Sequence, residues 1–133
     1  MAYPSGVCLR QIRLCNKEIE KLENDIEILV GIRFAFDNVA KEAASGITKT
    51  QNCLDVMHTN WTGYEASKQK KNVGGNKEKF ESVKRESENL SDEAIKLWKI
   101  TGSKYNDKLS ERKFWEREYE RAIEDEGKSR IIK

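Results

Sequence analysis

The chain has 133 residues, 36% of them charged and 37% apolar, with one proline, eight glycines and a net charge of +2. That length bounds it to one domain. The low apolar share excludes a thick globular core, and the interleaved signs of charge exclude a disordered polyelectrolyte. The composition that remains is that of long helices in a thin bundle or coiled coil.

Lys and Arg are mostly accompanied by Glu and Asp, so no segregated basic face is offered to a phosphate backbone. The run Lys68-Gln69-Lys70-Lys71 is the main exception. A nucleic-acid-binding reading would need that run to converge with the basic residues of 128–133, and no nucleic acid is expected as a partner. No stretch approaches the ~20 apolar residues that span a bilayer, so no membrane insertion is expected. No Sec-type signal is visible either. The expected location is the cytoplasm, with any export by a Sec-independent route.

In chain order, Met1 to Gly6 is a short leader, with Pro4 and Ser5 as a helix entry and Ser5 as a candidate N-cap. From Cys8 the apolar positions alternate four and three apart: Cys8, Ile12, Cys15, Ile19, Leu22, Ile26, Leu29. The register continues through Phe36, Ala40, Ala43, Ile47, Leu54 and Met57 to Trp61, with Arg33 and Thr50 as its polar members. Seven heptads in one register define a long helix with a seam on one face. Between Ile26 and Phe36 the stripe broadens, because Ile28, Val30, Ile32 and Phe34 are apolar too. That breadth fits either a locally thicker core or a face for a second chain. Low helix propensity from Ala44 to Asn52 predicts a kink or short interruption that the apolar register survives.

Asn60-Trp61-Thr62-Gly63-Tyr64 interrupts this pattern near the middle of the chain. Gly63 permits the positive φ that a reversal needs, and Trp61, on the seam register, is placed to fold its ring over the end of the hairpin. Beyond it, Asn72-Val73-Gly74-Gly75-Asn76 predicts a break. The second arm then offers Phe80, Val83, Leu90, Ala94, Leu97 and Trp98 as inward residues. The stripe drifts through Thr101, Tyr105 and Leu109 to Trp115, Tyr119 and Ile123, and the tail from Glu124 is expected to fray. The fold expected is therefore all-α: an antiparallel helical hairpin with arm one at about 5–60, a turn at 61–63, and arm two at about 64–126 with a break near 72–76. Unbroken arms would each run up to roughly 80 Å. Two arms alone bury little, so a partner hairpin completing a four-helix bundle is expected.

The reactive side chains are few. Cys8 and Cys15 share a helix face but stand roughly 10 Å apart along it, beyond disulfide reach, and read as small buried hydrophobes. Cys53 and His58 do not stack on one face. With one histidine, no nucleophile–base set and no phosphate-cradling glycine loop, neither an enzyme nor any metal or cofactor is expected.

A hairpin of this size with Trp61-Thr62-Gly63 at its turn resembles the WXG superfamily of type VII (ESX) secretion proteins. The layout is closest to the longer helical-hairpin partners found beside LXG-type toxins. The resemblance covers nearly the whole chain in architecture and one tripeptide in sequence. It implies a four-helix bundle with the helical N-terminal region of an LXG-type toxin, with a second small helical partner, or as a homodimer, and contact with the type VII secretion ATPase. It also implies a C-terminal export signal, an aromatic followed four residues later by an acid, which Phe114 and Glu118 match; Phe114 and Trp115 read equally as core. The candidate partner-binding residues are Ile28, Ile32, Phe34, Phe36, Trp98, Trp115 and Tyr119. Two features depart from the family: Gln69 and Lys70 stand where it usually has an apolar residue, and Gly74-Gly75 opens the second arm. The alternative is a generic coiled-coil structural or adaptor protein, phage or cytoskeletal, in which the tripeptide is coincidental.

Overall fold

The computed structural model describes residues 3–132, and their side chains as far as 128. It holds two helices, α1 (Ser5–Asn60) and α2 (Tyr64–Ile132), packed antiparallel as a helical hairpin, with no strand among the described residues. The hairpin divides into two compact units. A terminal unit combines α1 up to Ile28 with α2 from Leu97, and a turn unit comprises Leu29–Lys96.

Pro4 stands just before α1, and its carbonyl accepts the first backbone bonds, from Val7 N–H at 3.1 Å and Cys8 N–H at 3.2 Å. Ser5 does not cap its own helix as predicted. Its N–H donates to Glu126 Oε1 at 3.2 Å and its hydroxyl to Glu126 Oε2 at 3.0 Å. A carboxylate from α2 thus satisfies one of α1's unpaired backbone donors, where the helix dipole also favours negative charge. At the other end, Gly63 takes φ 98°, a left-handed conformation that releases α1 from its course. The Lys70 ammonium donates to the Trp61 carbonyl at 2.9 Å.

Neither predicted interruption occurs. Between Ala44 and Asn52 the helix is continuous, and Thr48 and Thr50 return their hydroxyls to the carbonyls of Ala44 and Gly46. The break near 72–76 is likewise absent, and α2 runs through Gly74 and Gly75. Two glycines cost a helix roughly 1 kcal/mol each. Packing offsets this, because Val73 and Lys77 on either side lie against α1, and Lys77 Nζ donates to Gln51 Oε1 at 2.6 Å. The tail expected to fray is helical to Ile132.

In the terminal unit the buried residues are Cys8, Cys15 and Ile19 from α1, and Ala122 with Glu118 from α2. Its register is pinned by Arg112 Nη1 donating to Asn16 Oδ1 at 3.1 Å and Tyr105 O–H donating to Glu23 Oε1 at 3.2 Å. A step of seven up α1 matches a step of seven down α2. The turn unit buries Ala40, Ala43 and Met57 against Ala66, Ser87, Ser91 and Ala94. There Ser91 Oγ–H donates to Asp37 Oδ1 at 2.6 Å, two heptads from the Gln51–Lys77 bond on each helix.

The seam of α1 is the one read from the sequence, except that Arg33 and Trp61 are exposed. The seam of α2 is not. Val83, Leu90, Leu97 and Trp98, expected to face inward, are about half exposed. Ala94, Thr101, Tyr105, Trp115 and Tyr119 do pack inward as expected, and the first, second and fourth belong to a row spaced by seven through Ala66, Val73, Ser87, Ala94, Thr101, Lys108, Trp115 and Ala122, with Phe80, 37% exposed, at the remaining position. Between them lie Lys70, Lys77, Lys84, Ser91, Tyr105, Arg112 and Tyr119. The Lys77 and Arg112 heads reach Gln51 and Asn16 of α1, whereas Lys84 and Lys108 pair with Glu88 and Glu111 of α2 and Lys70 bonds to the turn.

Candidate functional site: the exposed apolar flanks

Small side chains in the seam let two helices approach closely, and this displaces large apolar residues to its borders. In an antiparallel pair, the g positions of both helices border the seam on one side and the e positions on the other. In the turn unit the g side carries Ile32 and Val39 from α1 and Val83 and Leu90 from α2, each about two-fifths exposed. Gly46 lies in the same row, and the ring of Phe80 occupies the space its Cβ would take, 2.7 Å away.

The e side of this unit is charged. Lys77 pairs with Glu81, Lys84 with Glu88 and Arg33 with Asp37, at 3.8–3.9 Å. Just outside it stands Phe34, 68% exposed. With Val30, Arg33 and Asp37 it lines a shallow groove of about 260 Å³. Ile32 and Phe34 are therefore both displayed, on opposite sides of the seam, while Phe36 is half-buried within it.

In the terminal unit, Ile28 and Trp98 are exposed, whereas Trp115 and Tyr119 are half-buried along the seam. Trp115 meets Tyr3 edge to face at 5.0 Å and Phe114 at 5.1 Å. The two members of the candidate export signal have different surroundings. Phe114 is 44% exposed, but Glu118 is 9% exposed and accepts a bond from Arg121 Nη1 at 3.0 Å. Four-residue spacing puts them near one another on α2, yet the carboxylate is held in the seam's border.

Trp61, the hairpin's flagged aromatic, is 48% exposed and Tyr64 is 81% exposed. The ring does not close over the end of the bundle, and Met57 is the last buried residue of the α1 seam. Of the basic run, Lys70 is committed to the turn. Lys128 pairs with Glu124 at 3.5 Å, and the side chains beyond it lie outside the described residues.

Burial raises the pKa of the Cys8 thiol above its ordinary value, with Glu118 adding to the effect. Burial does the same to Cys15, reinforced by Glu111. The bond to Glu111 raises Lys108 in turn. Cys53 is exposed. A thiol reagent at neutral pH is expected to label Cys53 quickly and Cys8 and Cys15 only on unfolding; rapid labelling of all three would show that the terminal unit opens readily. Among the described residues no group of three or more His, Cys, Asp or Glu side chains is placed to hold a metal, and no helix is long and apolar enough to cross a membrane.

Fold and site together define a class: a two-helix hairpin that buries small residues and displays large ones. No protein-family model matches the chain, and neither curated proteins nor solved structures give a significant match.

Proposed function

We propose that the protein is a docking partner for helical proteins, of the WXG-like type VII secretion kind. It would contribute two helices to a four-helix bundle with the helical N-terminal region of an LXG-type toxin and promote that toxin's export. The observation that carries this reading is the inversion of side-chain size. Among the described residues the largest fully buried side chains are those of Cys8 and Cys15, while Ile28, Phe34, Leu97 and Trp98 stand 43–68% exposed. Exposed apolar area on this scale marks an interaction surface. The role is binding and presentation, with no catalytic step. It would be carried out in the cytoplasm, the hairpin then leaving with its cargo by a Sec-independent route and engaging the secretion ATPase through Phe114.

The supporting features are the antiparallel hairpin itself and the reversal at Gly63, directly after Trp61 and Thr62. The test is co-expression with the helical region of an LXG-type toxin, followed by light scattering on the co-purified species. A stable complex that Phe34→Asp with Trp98→Asp dissociates is the expected result. In secretion assays Phe114→Ala should lower export of the toxin with the complex intact, whereas Glu118→Ala should act mainly through stability, since it removes a buried partner of Arg121. No complex with any such toxin region would leave the coiled-coil adaptor reading in its place.

A further inference from the structure

The end of the turn unit carries a surface that neither the seam nor the apolar flanks use. Trp61 is 48% exposed and Tyr64 81% exposed, on either side of Thr62 and Gly63. Trp61 N–H still donates to the Met57 carbonyl of α1 at 2.9 Å. The Trp61 carbonyl accepts the Lys70 ammonium of α2, also at 2.9 Å. Its backbone is therefore tied to both helices, while its ring stands half in water.

Positive charge gathers at the same end. Residues 55–77 hold Lys68, Lys70, Lys71 and Lys77 against Asp55 and Glu65. These are four of the chain's 25 basic side chains and two of its 23 acidic ones, so the net charge of +2 sits in this segment and the rest is balanced. Tyr64, Lys68 and Lys71 follow one another at four and three residues, which puts them on one face of α2. All three are exposed, whereas Ala66, Lys70 and Val73 lie toward α1. From Tyr64 to Lys71 is roughly 10 Å along the helix, close to the ~8 Å over which charge acts at physiological salt. A surface that meets the rings thus also feels the lysines.

The chemistry of the tip selects among anionic surfaces. Trp and Tyr are amphipathic and settle at the headgroup level of a bilayer. Each lysine near an anionic lipid surface adds about fivefold in partition. The segment has no arginine, the side chain that reads phosphates and bases through a planar fork. Point charges beside amphipathic rings fit a fluid array of headgroups better than a shaped nucleic-acid groove. We propose that the turn end of this hairpin docks on anionic phospholipid membrane, with Trp61 and Tyr64 at the headgroup level and Lys68 and Lys71 beside the lipid phosphates. Two weak signals acting together give reversible attachment. This is adsorption, since no helix among the described residues is long and apolar enough to cross a bilayer. The apolar flanks stay free for a protein partner, and the inference does not rest on the export reading.

The experiment is co-sedimentation of the full chain with vesicles of phosphatidylcholine, alone and mixed with phosphatidylserine, at low and physiological salt. Binding is expected on the mixed vesicles only and should fall as salt rises. Lys68→Glu with Lys71→Glu and, separately, Trp61→Ser with Tyr64→Ser should each weaken it about tenfold or more. Circular dichroism should show unchanged helicity in both, because all four side chains are exposed. Lys99→Glu with Lys113→Glu, exposed sites of the terminal unit that change net charge equally, should leave binding unaltered. A chain that stays in the supernatant with mixed vesicles at low salt would overturn the proposal. So would an equal loss in the Lys99 and Lys113 pair, or equal binding to phosphatidylcholine alone. Retention on a DNA oligonucleotide without vesicle binding would assign the tip to nucleic acid and overturn it too. A toxin complex formed by a chain that ignores vesicles would sink this inference and leave the export reading standing.

Discussion

Ala94→Leu is expected to destabilise the hairpin, and Leu90→Ala, in dilute protein, to leave it nearly as stable as wild type. The order is the reverse of what the two side chains suggest in isolation. Ala94 is 4% exposed at the seam of the turn unit, level with Ser87 and Ser91, where the two backbones approach closely. Three added carbons there force the helices apart, at about 1–3 kcal/mol. Leu90 is 43% exposed on the flank. A buried leucine would cost about 2–5 kcal/mol on truncation, whereas this one is expected to cost under about 1 kcal/mol, because most of its apolar surface is in water before and after. Thermal melts of the two variants decide the matter. If Leu90→Ala proves the more damaging, the register of α2 is the one first read from the sequence, with Val83 and Leu90 inward.

That pair of variants bears on why one arm was legible and the other was not. In α1 the inward residues are apolar, small and large alike, with Arg33 and Thr50 as the polar members of the register, so hydrophobic periodicity and seam coincide from Cys8 to Met57. In α2 they diverge. The seam is built from alanine, serine and the stems of lysines, residues a hydrophobicity count passes over, while valine and leucine occupy the next position round the helix. The signal available was the unbroken spacing of seven through Ala66, Val73, Phe80, Ser87, Ala94, Thr101 and Trp115, with Lys108 its one charge. It is a repeat of position, and only partly one of polarity. The glycine pair misled for a related reason. Gly74 and Gly75 are poor helix formers, but propensity yields when the flanking residues are packed. At the turn the reading of Gly63 holds, since only the backbone is at stake there. The expectation for Trp61 fails, since its ring stands about half exposed beyond Met57, the last buried residue of the α1 seam.

The candidate docking residues divide along the same line. Ile28, Ile32 and Phe34 are read as surplus from the width of the apolar stripe on α1, and all three are exposed. Trp115 and Tyr119 are aromatics on a stripe, and nothing in the letters separates a seam aromatic from a displayed one. Glu118 shows the limit of a short spacing pattern. Four residues from Phe114, it satisfies the pattern, yet the seam draws its carboxylate inward and Arg121 neutralises it.

Ile19→Ala should produce the largest loss confined to the terminal unit. Ile19 is 5% exposed, and the other apolar residues buried there are Cys8, Cys15 and Ala122, all smaller. One truncation therefore removes the bulkiest apolar anchor of that unit, and neighbours this short cannot collapse into the space. A loss of about 2–5 kcal/mol is expected, a large share of the stability of a chain this size. Leu14, five residues earlier and 49% exposed, is the control, and its alanine variant should stay within about 1 kcal/mol of wild type. Hydrogen exchange gives the sharper readout, because compact units open with their own free energies. Amides of residues 8–28 and 97–126 should exchange faster in Ile19→Ala, with those around Ala43 and Ser91 changed less. Equal acceleration throughout would mean that the hairpin opens as one cooperative body, and that the short core around Ile19 supports the turn unit as well.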